Sequence, residues 1–300
     1  MKDYYQQLRR IIIAINRHPL AGKHRLKSYY LFVRWQFLSF FNKGERKVRF
    51  TGKTWLMAKK GLAGATGNIY MGLHEFNDMG FLLHLLRPND IFADVGANIG
   101  SYTVLASAHA GAVSYAFEPV PGTFSWLKRN VDANGMAPLV NLYNAGVGAA
   151  SGKLFFTSEH DTVNHVQMGD TKDHTAVEAE IVTLNDVFAG KQVPLLLKID
   201  VEGFETEVLK GADIILSNKM LRAIIIELNG LSASYGFSDQ AIHALLLVYG
   251  FKPYEYDPFS RSFNELKGFG SFNTIYIRDF SFVKERVALA EKIILFSESF

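Results

Sequence analysis

The 300-residue sequence contains no cysteine. Disulfides, thiolate zinc sites, iron–sulfur clusters and cysteine nucleophiles are therefore excluded together. It also lacks any run of about 18 apolar residues able to span a bilayer, and residues 11–15 are too short for the apolar core of a secretory leader. The expectation is a cytoplasmic chain. Internal repeats and low-complexity segments are missing too. Acidic residues are scarce in one place only: residues 1–60 hold 15 Lys/Arg against Asp3 and Glu45, a net of +13 in a chain whose overall charge is +3. The other 240 residues must then carry a net of −10. Such asymmetry marks a basic arm that touches an anionic partner.

What is present is enough for a full core, since 48% of the residues are hydrophobic. One large domain with an extension fits this length. The chain is organised around residues 89–100, N-D-I-F-A-D-V-G-A-N-I-G. Residues 91–95 form a short apolar run between breakers, Pro88 before it and Gly96 and Gly100 after it, which predicts a strand, a tight turn and a helix starting near Ile99. Glycine supplies the positive φ of such a turn and lets a ligand approach the backbone closely. The dinucleotide fingerprint G-x-G-x-x-G is not met, because Asn98 stands between Gly96 and Gly100. Asp94 puts a carboxylate where a pyrophosphate is unwelcome and where an ammonium or sulfonium is welcome. That favours S-adenosylmethionine over a nicotinamide dinucleotide.

Along the chain, residues 4–15 place Tyr4, Tyr5, Leu8, Ile11, Ile12 and Ile15 on one helical face, and residues 26–41 form a second helix rich in aromatics. Aromatics at helical spacing usually pack in a core, so the plain reading is a helical pair seated on the main domain with its cations solvated. The sharper reading is an arm on an anionic membrane. Residues 46–70 alternate and carry four glycines, as a β meander would. Asn77-Asp78 caps a helix ending at Arg87-Pro88. After residues 91–95 the order strand–helix–strand–helix–strand predicts a doubly wound, mostly parallel sheet, with an antiparallel strand at its edge. Ser151-Gly152 marks a hairpin turn into a strand over 153–157, residues 159–178 are polar and irregular, in the manner of a lid, and a strand over 178–182 resumes the pattern. Strands at 193–199 and 221–227 follow, then helix 239–249, strands near 251–256 and 272–278, and an amphipathic helix over 283–296.

Ligands of open parallel sheets sit at the carboxyl ends of the strands. Three polar clusters fall there: residues 94–100, Glu118, and Lys198-Ile-Asp200-Val-Glu202 with Glu227 and Asn229 one strand later. Glu118 stands where an acid takes both ribose hydroxyls; the plain alternative is a helix-start acid answering the macrodipole.

The motifs D-V-G-A-N-I-G, F-E-P, K-I-D-V-E-G-F-E with V-L-K-G-A, and I-I-I-E-L, with residues 70–75 and 183–186, resemble the FkbM family of S-adenosylmethionine-dependent methyltransferases over roughly residues 68–280. The resemblance implies a class I, Rossmann-like methyltransferase sheet and methylation of a hydroxyl oxygen on a sugar, glycan or natural product. It implies cofactor contacts from Asp94, Gly96, Asn98, Gly100 and Glu118, joined by Glu75 and Asn144, with Asp200 beside the reactive methyl. Residues 1–67 fall outside it as a basic, aromatic, helical and β-meander extension, and residues 281–300 add a C-terminal helix.

A sugar hydroxyl needs a base or a metal to shed its proton. Two versions stay open. In one, Asp200, Glu227 and Asn229 are oxygen ligands for Mg²⁺. In the other, the base is Asp200, Glu202 or a histidine, His165 or His74; a lone loop histidine is more often merely solvated. Two competing readings follow from the basic arm: nucleic-acid methylation, opposed by a negatively charged mouth that repels phosphate, and a non-catalytic cofactor-fold module on an anionic membrane. The acceptor is expected to be a small molecule or glycan, with peripheral membrane contact through residues 1–60 at the inner face.

Overall fold

The computed structural model describes residues 2–41, 44–157, 166 and 176–300. Its first part is helical: α1 (Lys2–Arg17) and α2 (Arg25–Phe41), then a hairpin of β1 (Arg46–Arg49) and β2 (Trp55–Ala58), then α3 (Ala63–Met71) and α4 (Phe76–Leu85). The predicted meander is thus confined to residues 46–58. Residues 63–71 are helical because Ala65, Tyr70 and Met71 turn one face onto Ile15, Trp35 and Ile99, and that packing overrides the weak helix propensity of its glycines. The first residue of the helix over 76–85 follows Glu75, which makes no side-chain cap; Asn77 and Asp78 lie inside its first turn.

From there strands and helices alternate: β3 (Ile91–Val95), α5 (Ser101–Val104, widening into a π turn over Leu105–His109), β4 (Val113–Phe117), α6 (Pro121–Ala133) and β5 (Val140–Tyr143). A small side sheet is built from β6 (Ala145–Val147), β7 (Gly152–Phe156) and β8 (Val177–Val182), in the order β6-β8-β7. The main sheet resumes through α7 (Leu184–Val187), β9 (Leu196–Ile199), α8 (Glu205–Lys210), α9 (Asp213–Ser217), β10 (Ala223–Glu227), α10 (Asp239–Val248), β11 (Lys252–Asp257), β12 (Ser262–Glu265), β13 (Asn273–Ile277) and α11 (Phe280–Ala288). The C-terminal helix is therefore shorter than 283–296, and residues 294–299 close instead as a small antiparallel pair.

The eight main strands run β12-β11-β13-β10-β9-β3-β4-β5. The order reverses between β3 and β9, which places a crevice beyond their carboxyl ends. Two strands break the parallel run. β12 is the antiparallel edge, and β13 is inserted antiparallel between β10 and β11. Alternation along the strands divides the core: Phe92, Leu196 and Ile225 meet α4, α5, α6 and α11 on one face, whereas Ala93, Leu197 and Ile226 meet α8, α9 and α10 on the other. A parallel sheet covered on both faces needs this continuous apolar character, and β3 and β9 are buried at every residue. Among the described residues no helix is long and apolar enough to cross a membrane.

Candidate active site

The turn after β3 carries positive φ at Gly96 (79°), Asn98 (51°) and Gly100 (88°). Gly96 has a second reason to lack a side chain: a Cβ there would overlap the Asp200 carbonyl oxygen. Asn98 meets its left-handed backbone by a local bond, its Oδ1 accepting from the Ile99 N–H at 2.7 Å. The main chain after β3 and after β9 is thereby held in van der Waals contact, and the crevice splits around that contact into two cavities. One, of about 140 Å³, is lined by Gly96, Asn98, Phe117, Glu118, Val120, Phe156, Val166, Glu202 and Glu227. The other, of about 210 Å³, is lined by His74, Glu75, Asn98, Ser101, Tyr102 and Lys198. Asp200 faces both.

Glu118 ends β4 with a buried carboxylate whose Oε2 accepts from the Asn98 N–H (3.1 Å) and whose Oε1 accepts from the Val120 N–H (3.0 Å). Burial pushes its pKa up to about 7, against the pull of those two N–H groups. Asp200, Glu202 and Glu227 bring carboxylate oxygens within 4.8 Å of one another. Burial, then the charge of Asp200, raises Glu202 to about 7 and Glu227 to about 8. Glu202 holds its place at φ 53°, a left-handed conformation that costs a non-glycine residue roughly 1–2 kcal/mol. The counter-ion is Lys198, buried, whose Nζ donates to Asp200 Oδ2 at 2.7 Å and lies 4.8 Å from the Tyr102 ring centroid. On the far wall Asn273 donates to Glu75 Oε1 (2.8 Å) and to Asp78 Oδ2 (3.3 Å), and burial beside Glu75 raises Asp78 to about 7.

The sequence candidates separate into three groups. Glu75, Gly96, Asn98, Glu118, Asp200, Glu202 and Glu227 line the two cavities, as does His74. Asp94, Gly100, Asn144 and Asn229 do not. Asp94 is fully buried beneath the turn, its Oδ2 accepting from Thr103 Oγ1 at 2.6 Å, so its charge reaches the site through Lys198 rather than by contact. Gly100 gives α5 its left-handed start. Asn144 spends its amide on the carbonyls of Glu118 and Pro119. Asn229 is exposed and its Oδ1 accepts from the Leu231 N–H, so Glu202, not Asn229, completes the oxygen cluster with Asp200 and Glu227. His165 lies outside the described residues. The sequence reading passed over Tyr102 and Phe156 because a lone aromatic in an apolar run looks like core until its neighbours are known. It passed over Glu205 too, buried beside the turn with Oε1 accepting from the Gly203 N–H at 3.1 Å.

A sequence profile described as the methyltransferase FkbM domain matches residues 94–253. The chain is 31% identical over 211 residues to 31-O-demethyl-FK506 methyltransferase FkbM of Streptomyces tacrolimicus, covering 59% of this chain and 78% of that protein. It is 31% identical over 132 residues to hexuronic acid methyltransferase AglP of Haloferax volcanii, covering 43% of this chain and 53% of that protein. Among solved structures, precorrin-6y C5,15-methyltransferase from Geobacter metallireducens overlays with a TM-score of 0.42 at 13% identity, covering 74% of this chain and 93% of that one.

Proposed function

The chain belongs to the FkbM methyltransferase family, and from that premise we propose that it methylates a hydroxyl oxygen on a sugar, glycan or natural product with S-adenosylmethionine as donor. The observation that carries this reading is the convergence of Glu118, Asp200, Glu202 and Glu227, from three strand ends, on the glycine turn at Gly96. One relative is named for a hexuronic acid and another for a 31-O-demethyl compound, which supports an oxygen of a sugar or natural product as acceptor.

When bound, S-adenosylmethionine supplies an electrophilic methyl group on a sulfonium. The residues fit it. Glu118 offers a carboxylate already oriented by two backbone N–H groups for a ribose diol, and Phe117, Val147 and Phe156 offer apolar walls for a base. The second cavity carries Glu75 for an ammonium, and Asp200 lies where the two cavities meet. What remains to the protein is to align the acceptor oxygen, exclude water and take the hydroxyl proton. Alignment alone recovers on the order of 7–11 kcal/mol of barrier in well-oriented systems. Glu227, raised to about 8, suits the proton better than Asp200, because a carboxylate poised near neutrality is the more effective base and Asp200 is held by Lys198. A second version rests on the same cluster: Asp200, Glu202 and Glu227 are hard oxygen donors that would hold Mg²⁺, which would acidify the hydroxyl. We assign the catalytic domain to residues 68–280, flanked by the extension 1–67 and the element 281–300.

The extension suits an anionic membrane. On α2, Leu26, Tyr30, Val33, Phe37 and Phe40 recur at helical spacing and are exposed, Leu26 at 87% and Phe40 at 75%, among the exposed cations Arg25, Lys27 and Arg34. A nucleic-acid substrate is disfavoured by the acidic mouth.

The test is calorimetry with S-adenosylmethionine on wild type and Glu118→Ala, with and without Mg²⁺. Micromolar binding that the substitution weakens by about 1–3 kcal/mol is expected. A folded chain that binds no S-adenosylmethionine overturns the reading.

A further inference from the structure

A third cavity, of about 590 Å³, lies between α1, α2 and α3. Its walls are largely apolar, through Leu8, Phe32 and Trp35, and two cations, Arg10 and Lys60, also line it. Among the described residues its lining contains no carboxylate. Its volume is that of a site for a drug-sized ligand, and far above what one or two buried waters fill.

This cavity and the 210 Å³ catalytic cavity share one lining residue, His74. The His74 ring lies over Gly67, where a Cβ would come within 2.7 Å of it. Between the two spaces, then, stands an exposed imidazole resting on a residue without a side chain. Asp200 and Lys198 line the same 210 Å³ cavity as that ring. The extension, together with α3 and His74, thus builds a compartment that borders the catalytic cavity at His74. That compartment differs in charge from the acidic cleft lined by Glu118, Glu202 and Glu227.

We propose that this compartment seats the body of the methyl acceptor, an amphiphile with an apolar portion and an anionic group, whose hydroxyl passes His74 to reach Asp200. The inference rests on the methyltransferase reading and narrows its acceptor. Leu8, Phe32 and Trp35 take the apolar portion. Arg10 and Lys60 take the anion. Both cations are exposed at the cavity wall, so a neutral amphiphile gains only the apolar contacts whereas an anionic one gains their attraction as well. A cationic one would be repelled.

The experiment titrates the full chain with monomeric dodecyl phosphate and, as the uncharged control, dodecyl maltoside, and measures S-adenosylmethionine affinity in parallel. The expected result is dodecyl phosphate binding at least about tenfold tighter than the maltoside. The double substitution Arg10→Gln and Lys60→Gln should weaken dodecyl phosphate by roughly tenfold and leave S-adenosylmethionine affinity unchanged. Equal affinity for the two amphiphiles, or indifference to the double substitution, overturns the proposal while retained S-adenosylmethionine binding leaves the methyltransferase reading standing. Loss of S-adenosylmethionine binding in the wild type strikes that reading instead. A parallel arm with phosphatidylglycerol vesicles distinguishes the sources: competition between vesicles and dodecyl phosphate marks a membrane-borne acceptor, and dodecyl phosphate binding untouched by vesicles marks a free one. Vesicle binding without dodecyl phosphate binding assigns the cations to the surface and overturns the compartment.

Discussion

Lys198 donates to Asp200 at 2.7 Å from a side chain that is only 4% exposed. Burial pulls a lysine's pKa down, yet the charges of Asp200, Asp94 and Glu75 more than offset it and hold this ammonium above its ordinary value. Among the described residues lining the two crevice cavities, Lys198 is the one lysine or arginine, set against Glu75, Asp200, Glu202 and Glu227. Lys198→Met should destabilise the chain by about 3–5 kcal/mol, the usual result of stranding a buried charge. Any surviving activity should shift to higher pH, because Glu202 and Glu227 lose their nearest positive charge. Thermal unfolding and a pH–rate profile check both.

Gly96→Ala meets two obstacles at once, a φ of 79° and the Asp200 carbonyl. The two loops must part. S-adenosylmethionine affinity should fall by at least about a hundredfold, in a chain whose circular dichroism shows the fold retained. Unaltered affinity would mean that the loop contact does not shape the donor site.

Glu205 is buried and raised to about 7 by that burial, against the N–H groups that it accepts from. Between its unfolded value and about 7 the native state holds the extra proton, so its contribution to stability is complete below about 4.5 and is lost as the pH rises through 7. Glu118 and Glu202 act in the same direction. The ligand-free protein should thus melt at lower temperature at pH 8 than at pH 5. Glu205→Gln keeps an oxygen for the Gly203 N–H and should recover about 2–3 kcal/mol at pH 8 and nothing at pH 4. Activity should run the opposite way, rising with pH toward the Glu227 value of about 8.

Replacing Phe37 and Phe40 by Ser removes two exposed rings from α2. Binding to phosphatidylglycerol vesicles should drop by roughly tenfold, and S-adenosylmethionine binding should hold. Equal sedimentation of variant and wild type with the vesicles would remove the membrane from the account.

The turn at residues 94–100 was legible in the sequence because its chemistry is local: a short apolar strand, two glycines and an acid in seven residues. Glu118 was legible for the same reason, one strand later. What escaped depended on contacts made across the chain. Glu202 and Asn229 each stand two residues past a cluster acid, Asp200 and Glu227 in turn, and only the fold separates them: Glu202 joins the cluster while Asn229 accepts from the Leu231 N–H. Asp94 looked like a ligand contact, but β3 is central and its pleat turns that side chain inward to Thr103. Two strands of the side sheet were legible, at 153–157 and 178–182, and β6 alone went unread, for another reason. β6 is three residues long, and its pairing with β8 is fixed by a partner more than thirty residues away.

The reversed strand β13 also sets the timetable of synthesis. β10 has its partner β9 already made when it emerges, but its other edge belongs to β13, whose residues follow some 50 positions later. At ordinary rates of translation the Ile224–Ile225–Ile226 ribbon waits a few seconds with one row of N–H and C=O groups open. Asn273, which joins Glu75 to Asp78, arrives with that same strand. The sticky edge of the nascent chain and the unfinished wall of its active site are thus closed by the same strand.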